Sequence, residues 1–176
     1  MTPSEVAAAM DIPLPRAEKW ADALTTAMAE GKINTRLRTA AFLAQIGHES
    51  GSLIYSKELG GPSYFAKYEG RKDLGNTQPG DGAKFCGRGL IQVTGRANYG
   101  RASQELFGDD RLLKNPELLE QPEWAAKSAV WYWSTRNLNA LADADRFTDI
   151  TRAINGGTNG LGDRKARYHL ALSVLV

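Results

Sequence analysis

The segment between Thr35 and Gly51 constrains this chain more than any other: Leu37, Ala40, Ala41, Ala44 and Ile46 leave it apolar nearly all round, yet it runs out into His48-Glu49. A helix without a polar face must be covered on every side, so the segment predicts a buried central helix with the other elements gathered around it. Asn34 or Thr35 can cap its start, and Gly51 is placed to end it. The surrounding sequence supplies the cover. Thr2-Pro3-Ser4-Glu5 reads as a capping box with proline in the first turn of a short helix, which Pro13 and Pro15 end. Ala17, Trp20, Ala21, Leu24, Ala27 and Met28 recur at offsets of three and four, an amphipathic helix stopped near Gly31. Helical patterns return over about 97–107, closed by Gly108, and over 122–136, where Trp124, Ala125, Ser128, Ala129, Trp131 and Tyr132 keep the spacing. Two more cover about 148–155 and 162–174, with Gly156-Gly157-Thr158-Asn159-Gly160 between them.

The middle of the chain has a different texture. Ser63 to Glu69 can form a short helix carrying Tyr64, Phe65 and Tyr68, and six of the 18 glycines then fall between Gly70 and Gly89. A connection this long inside a compact domain is usually functional or disordered. Gly89-Leu90-Ile91-Gln92-Val93-Thr94 is the best strand candidate. The expectation is one mainly α domain over 1–176, with a glycine-rich loop at about 59–96.

Composition narrows the chemistry by exclusion. A single cysteine, Cys86, rules out an intrachain disulfide and any multi-cysteine zinc site, and two histidines, His48 and His169, rule out a three-histidine metal site. The 22 basic and 20 acidic residues are interspersed, which is no nucleic-acid footprint. No apolar run approaches the roughly 20 residues that cross a bilayer. The N-terminus has no basic stretch ahead of its alanine run, so no Sec signal peptide is expected.

Among the residues able to do chemistry, Glu49 comes first. At the end of an apolar helix, desolvation favours its neutral form, as a general acid requires; the alternative is an idle, exposed C-terminal glutamate. Glu58 follows nine residues later beside Lys57, where an ammonium and solvent favour the ionised form of a base. On one continuous helix the two would be separated by about 13.5 Å of rise and face apart, so a break at Gly51 is needed to set them across a cleft. Two carboxyls in different environments are the equipment of glycoside hydrolysis. Gln92, Thr94 and Asn98 offer neutral donors and acceptors for a water or sugar hydroxyls, or else ordinary turn chemistry. Asn155-Gly156-Gly157 reads as a helix C-cap. Tyr64 and Tyr68 suit sugar stacking, whereas the tryptophans at helical spacing read as core. Cys86 with either histidine could form a thiol dyad, but nothing local activates it.

Four strings occur in order: Ala41-Phe-Leu-Ala-Gln-Ile-Gly-His-Glu-Ser50; Lys57-Glu58; Gly87-Arg-Gly-Leu-Ile-Gln-Val-Thr94 with Asn98-Tyr-Gly100; and Ile154-Asn-Gly-Gly157. Together they resemble the catalytic domain of glycoside hydrolase family 19, the chitinase family that also includes cell-wall lysins of bacteriophages. Residues 68–82 look especially like the lysin branch, and the resemblance covers roughly 34–170. It implies a lysozyme-like fold of two mainly helical lobes around a groove, with at most a very small β element. It also implies Glu49 as general acid, Glu58 as general base and Thr94 as a holder of the attacking water. Gln92, Asn98 and Asn155 match substrate-binding positions, and Arg164 of Asp163-Arg164 matches a cleft residue. His48, beside the acid, and Tyr64 complete the expected substrate contacts.

Two departures bear on the substrate. The interval from acid to base is much shorter than in plant chitinases, and Ala97 stands where those enzymes have a tyrosine. A more open groove favours a glycan with lactyl-peptide branches, hence peptidoglycan over chitin. The expectation is therefore a monomeric, cofactor-free and metal-free endolysin that inverts at β-1,4 bonds of peptidoglycan strands. It has no nucleic-acid partner, no stable membrane association and no separate wall-binding domain. It would accumulate in the host cytoplasm and reach the wall through a holin-type pore. The alternatives are a chitinase, a Cys86-dependent wall peptidase or amidase, and a non-catalytic peptidoglycan-binding module.

Overall fold

A computed structural model describes all 176 residues. The long helices are α1 (Pro3–Met10), α2 (Leu14–Glu30), α3 (Arg36–Glu49), α6 (Arg96–Phe107), α8 (Pro122–Thr135), α10 (Phe147–Asn155) and α11 (Leu161–Val174). Four short ones intervene: α4 (Pro62–Phe65), α5 (Asp81–Lys84), α7 (Arg111–Lys114) and α9 (Leu138–Asp143). Local chemistry sets many of the boundaries. Thr2 and Glu5 form the reciprocal capping box of α1, and the Thr35 hydroxyl accepts from the Arg38 N–H at the start of α3. Gly108 and Gly156 take left-handed conformations where α6 and α10 stop. The end of α1 is set by Asp11 in the left-handed region rather than by the prolines, and Pro15 lies in the first turn of α2, where its missing N–H costs nothing.

The apolar surfaces close into two cores. The larger gathers 31 buried residues around α3, whose stretch from Thr39 to Gly47 is wholly buried against α1, α11 and the neighbouring helices. Phe42 meets Trp133 of α8 edge-on at 5.4 Å between ring centres. The smaller core holds six residues, Phe85, Val93, Tyr99, Ala102, Leu112 and Leu119. Helix α8 is the wall between them: Ala125, Ala129 and Trp133 face the large core, while Trp124 and Trp131 lean on the small one.

The strand expected over 89–94 is a turn. Arg88 and Val93 exchange backbone hydrogen bonds of 3.1 and 2.8 Å, and the only β pairing consists of two isolated bridges, Lys57 with Arg88 and Arg88 with Val93. Gly89 (φ +81°) and Gln92 (φ +58°) reverse the chain, which an extended segment does not do. The apolar residues that suggested a strand serve two cores: Leu90 and Ile91 enter the large one, Val93 the small one.

The glycine-rich stretch is likewise folded, by polar ties in place of apolar bulk. Both oxygens of Glu69 accept backbone N–H groups, from Gly80 at 2.7 Å and Gly82 at 2.8 Å. Arg96 forks onto buried Asp81 at 2.8 and 2.7 Å, and its own N–H donates to Asn76. Gly82 is obligatory, since a Cβ there would come within 2.8 Å of Glu69 and of the Phe65 carbonyl.

Candidate active site

Glu49 is the last residue of α3, and its position is fixed from α11. Arg164, only 1 % exposed, donates one nitrogen to Glu49 Oε1 and another to Gln45 Oε1, each at 2.6 Å, and its Nε donates to the Asn159 carbonyl. Gln45 lies four residues before Glu49 on the same helix face and donates in turn to Thr151 at 2.8 Å. This buried chain corrects two expectations. Glu49 sits in a charge-paired setting, not an apolar one, because α11 brings a guanidinium to the helix end. Arg164 is not an open cleft residue; it positions Glu49. Only Oε1 of Glu49 is held, and Oε2 has no protein partner.

Immediately after α3 the chain turns sharply. Gly51, Ser52 and Leu53 all have φ near +60°, a run of left-handed residues that costs backbone energy and is held from outside. Arg16 donates to the Ser52 carbonyl, Arg167 to the Ser52 hydroxyl, and Ser50 Oγ accepts from the Leu53 N–H. The break expected at Gly51 thus spans three residues, and it takes Glu58 off the α3 axis.

Glu58 is held by the glycine-rich half. Its backbone N–H donates to the Gly87 carbonyl at 2.8 Å, and the Gly87 N–H returns a bond to Glu58 Oε2 at 3.1 Å. Oε1 accepts from the Tyr68 hydroxyl at 2.9 Å and from Lys67 at 3.3 Å. Burial alone pushes this carboxyl up, but the hydrogen bonds from Gly87, Tyr68 and Lys67 outweigh it and hold it below the usual carboxylate range. Tyr64, half exposed, carries the Lys67 ammonium 3.5 Å over its ring and so belongs to the same cluster.

A cavity of about 230 Å³ is bordered by Gln92, Thr94 and Asn98 from the glycine-rich half and α6, and by Tyr132 and Ile154 from α8 and α10. Gln92 approaches Glu58 closely: a Cβ on Gly87 would touch both, at 2.5 and 3.2 Å. The Tyr132 hydroxyl donates to the Ala153 and Ile154 carbonyls at 3.3 and 3.4 Å, and burial pushes its phenol up against the opposing pull of Arg136. The Thr94 hydroxyl donates to the Gln92 carbonyl at 3.0 Å, which leaves its oxygen lone pairs available, and Asn98 donates to the Thr94 carbonyl at 2.8 Å. Asn155, exposed beside Ile154, accepts from the Asn159 N–H at 3.3 Å and so shapes the loop that also binds Arg164. His48 bonds Asp163 at 2.7 Å and is packed under Gly160, where any Cβ would fall 2.2 Å from its ring.

Sequence reasoning gave no role to Gln45, Lys67 or Tyr132. A glutamine inside an otherwise apolar helix, one turn before the acid candidate, was a usable signal for the first. Lys67 and Tyr132 needed the chain path. Cys86 is fully buried, burial pushes its thiol up, and His48 is engaged with Asp163, so no activated thiol is formed.

The arrangement has close relatives. The family described as chitinase class I, a glycoside hydrolase family 19 domain, matches residues 17–148. A glycosyl hydrolase family 19 domain-containing protein of Haemophilus influenzae is 35% identical over 167 residues, covering 79% of this chain and 80% of that protein. An endochitinase of Arabidopsis thaliana is 38% identical over 120 residues, 67% of this chain, and the match spans only 38% of that longer protein. Among solved structures, chitinase C from Streptomyces griseus superposes with a TM-score of 0.79 at 27% identity, covering 99% of this chain and 76% of that one. With a helical frame of the lysozyme-like kind and a family match over most of its length, the chain belongs to glycoside hydrolase family 19 and is a glycosidase.

Proposed function

We propose that this glycosidase hydrolyses β-1,4 bonds between the N-acetylated amino sugars of bacterial peptidoglycan, with Glu49 as general acid and Glu58 as general base. The observation that carries the assignment of roles is the contrast between the two carboxyls. Glu58 is kept ionised by three donors, as a base must be. Glu49 has one oxygen held by Arg164 and the other free to carry the proton. As the glycosidic bond breaks, that proton passes from Oε2 to the leaving oxygen, and Arg164 meets the charge left behind. On the opposite face a water gives one proton to Glu58 and attacks the anomeric carbon, inverting it. The O–H of Thr94, committed to the Gln92 carbonyl, leaves lone pairs to accept a hydrogen bond from the water's other O–H, which stays on the product hydroxyl. Inversion asks for carboxyls about 6.5–9.5 Å apart. Gln92, Asn98 and Asn155 would hold the sugar hydroxyls and acetamides.

Peptidoglycan is preferred to chitin because the interval from Glu49 to Glu58 is short and Ala97, exposed beside Asn98, adds little bulk where a branched glycan needs room. A chitin-cleaving role is the second reading, supported by the named activities of the plant and Streptomyces relatives. In the first reading the enzyme is a lysin of the phage type, made in the host cytoplasm and admitted to the wall by a separate membrane pore. The deciding experiment is mass spectrometry of purified peptidoglycan digested by the wild type and by Glu49→Gln, with borohydride marking new reducing ends. Disaccharide-peptides with a reduced amino sugar, lost in the variant, are expected. Released peptides on intact strands would overturn the carboxylate mechanism, and cleavage of chitin oligomers alone would establish the second reading.

A further inference from the structure

A second hollow adjoins the groove and takes no part in the chemistry above. Its volume is about 460 Å³, and it lies among α6, the segment around Asp110–Leu113 and α8. Arg101 and Trp131 border both this hollow and the groove that holds Gln92, Thr94 and Asn98, so the two form one continuous surface. It exists because one face of α6 carries little bulk. Ala97, Gly100, Arg101 and Gln104 share that face at i, i+3, i+4 and i+7, and the first two leave it bare. A Cβ on Gly100 would meet only the Leu113 methyls, at 3.8 and 3.9 Å, so a side chain would fit there and its absence makes the space.

The hollow also offers both signs of charge. Arg101 and Glu105 stand one helical turn apart, a spacing at which opposite charges commonly pair, yet both point into solvent at its rim. They enter none of the ion pairs that occupy the nearby charges, Arg111 with Asp109, Lys114 with Asp110 and Lys127 with Glu123.

We infer that this hollow receives the peptide branch of a peptidoglycan strand whose glycan lies in the groove, Arg101 taking a carboxylate of the branch and Glu105 an ammonium. The inference rests on the peptidoglycan reading and deepens it. A strand bearing a lactyl-peptide on alternate sugars must direct those branches out of the groove, and the hollow opens directly from it. A zwitterionic peptide answers both free charges. A chitin strand carries only hydroxyls and acetamides and answers neither, so the hollow is a specificity site.

The test separates binding from turnover. Calorimetry on the full chain carrying Glu49→Gln compares a disaccharide-tetrapeptide with the same disaccharide lacking its peptide. The peptide-bearing ligand should bind about tenfold more tightly, and adding Gly100→Leu, which puts an isobutyl group into the hollow, should remove most of the difference. Glu105→Lys, at an exposed position, should reduce it by about threefold and guards against a folding defect in the first variant. In the otherwise wild-type enzyme, Gly100→Leu should lower kcat/KM on peptide-bearing strands by about tenfold and leave strands stripped by an amidase unaffected. Equal binding of the two disaccharides, or an equal loss on stripped strands, overturns the proposal. A wild type that cleaves only chitin oligomers defeats the peptidoglycan reading, while the binding difference, which needs no turnover, still decides the hollow.

Discussion

Glu49 ends a 14-residue helix embedded in a core of 31 residues, and one buried arginine from the far end of the chain fixes its carboxyl. Glu58 sits in a half whose core has six residues, and its carboxyl is fixed by a backbone N–H, a phenol and an ammonium. The first side is rigid because apolar burial leaves it no alternative; the second is ordered by many polar ties of modest individual strength. The two carboxyls to which we assign different duties therefore stand on frames of different kinds. The proposed acid is placed by packing plus a single ionic contact, whereas the proposed base is placed by a set of donors that also keeps it charged.

The contrast is sharpened most by Glu58→Gln. The substitution keeps the size and one acceptor oxygen, enough for the bond from Gly87 or the bond from Tyr68 and not both, and it removes the basic charge; kcat should fall by about 10²- to 10⁴-fold with only a small fall in Tm. Turnover on purified walls and a thermal melt check both halves of that statement. Near-normal turnover would remove Glu58 from the mechanism and leave the polar frame around it without a catalytic purpose.

Removing one charge from each frame comes next. Arg164→Met leaves Glu49 and buried Gln45 without their shared donor and should cost about 3 kcal/mol, seen as one cooperative melt at lower temperature, because α3 and α11 pack on one another in one core. Asp81→Asn weakens the fork with Arg96 and should cost about 2 kcal/mol, but locally. Hydrogen exchange should speed up across 69–96 while Thr39–Gly47 stays protected. The pH dependence follows the same division. Hydrogen bonding to Arg96, against a smaller opposing push from burial, holds the Asp81 carboxyl below its usual range. Its stabilisation is complete above the unfolded-state pKa and is lost as pH falls through the lower folded value. Acid should therefore open the glycine-rich half before the helical one. A single transition for both halves would contradict two separately maintained frames.

What could be read in advance divides along the same line. The long helices were legible because capping residues, terminal glycines and apolar spacing agree over eight or more residues. The short helices α5, α7 and α9 were not, since four to six residues cannot offset helix nucleation and owe their form to what they pack on. The turn at 88–93 looked like a strand because Leu90, Ile91 and Val93 are all buried, and the sequence does not say that they are buried in different cores. Glu49 was legible as a residue but not in its surroundings: its partner Arg164 is 115 positions away. Lys67 and Tyr68 lie within ten residues of Glu58, yet their convergence depends on a path through glycines that leaves no periodic trace.

The smallest expected effect is the most specific test of the base. The proposed base works only when ionised, so the acidic limb of kcat/KM against pH should follow the titration of Glu58. Burial pushes Glu58 up, and the bonds from Gly87, Tyr68 and Lys67 reverse that push. Tyr68→Phe deletes one of the three while leaving the ring, the Gly87 bond and the Lys67 contact in place. The folded pKa then rises toward its ordinary value, and the acidic limb should move to higher pH with the plateau and the alkaline limb little changed. A shift of the alkaline limb instead would exchange the roles of the two carboxyls. No shift in either limb would mean that the titrating base is not the carboxyl that Tyr68 holds.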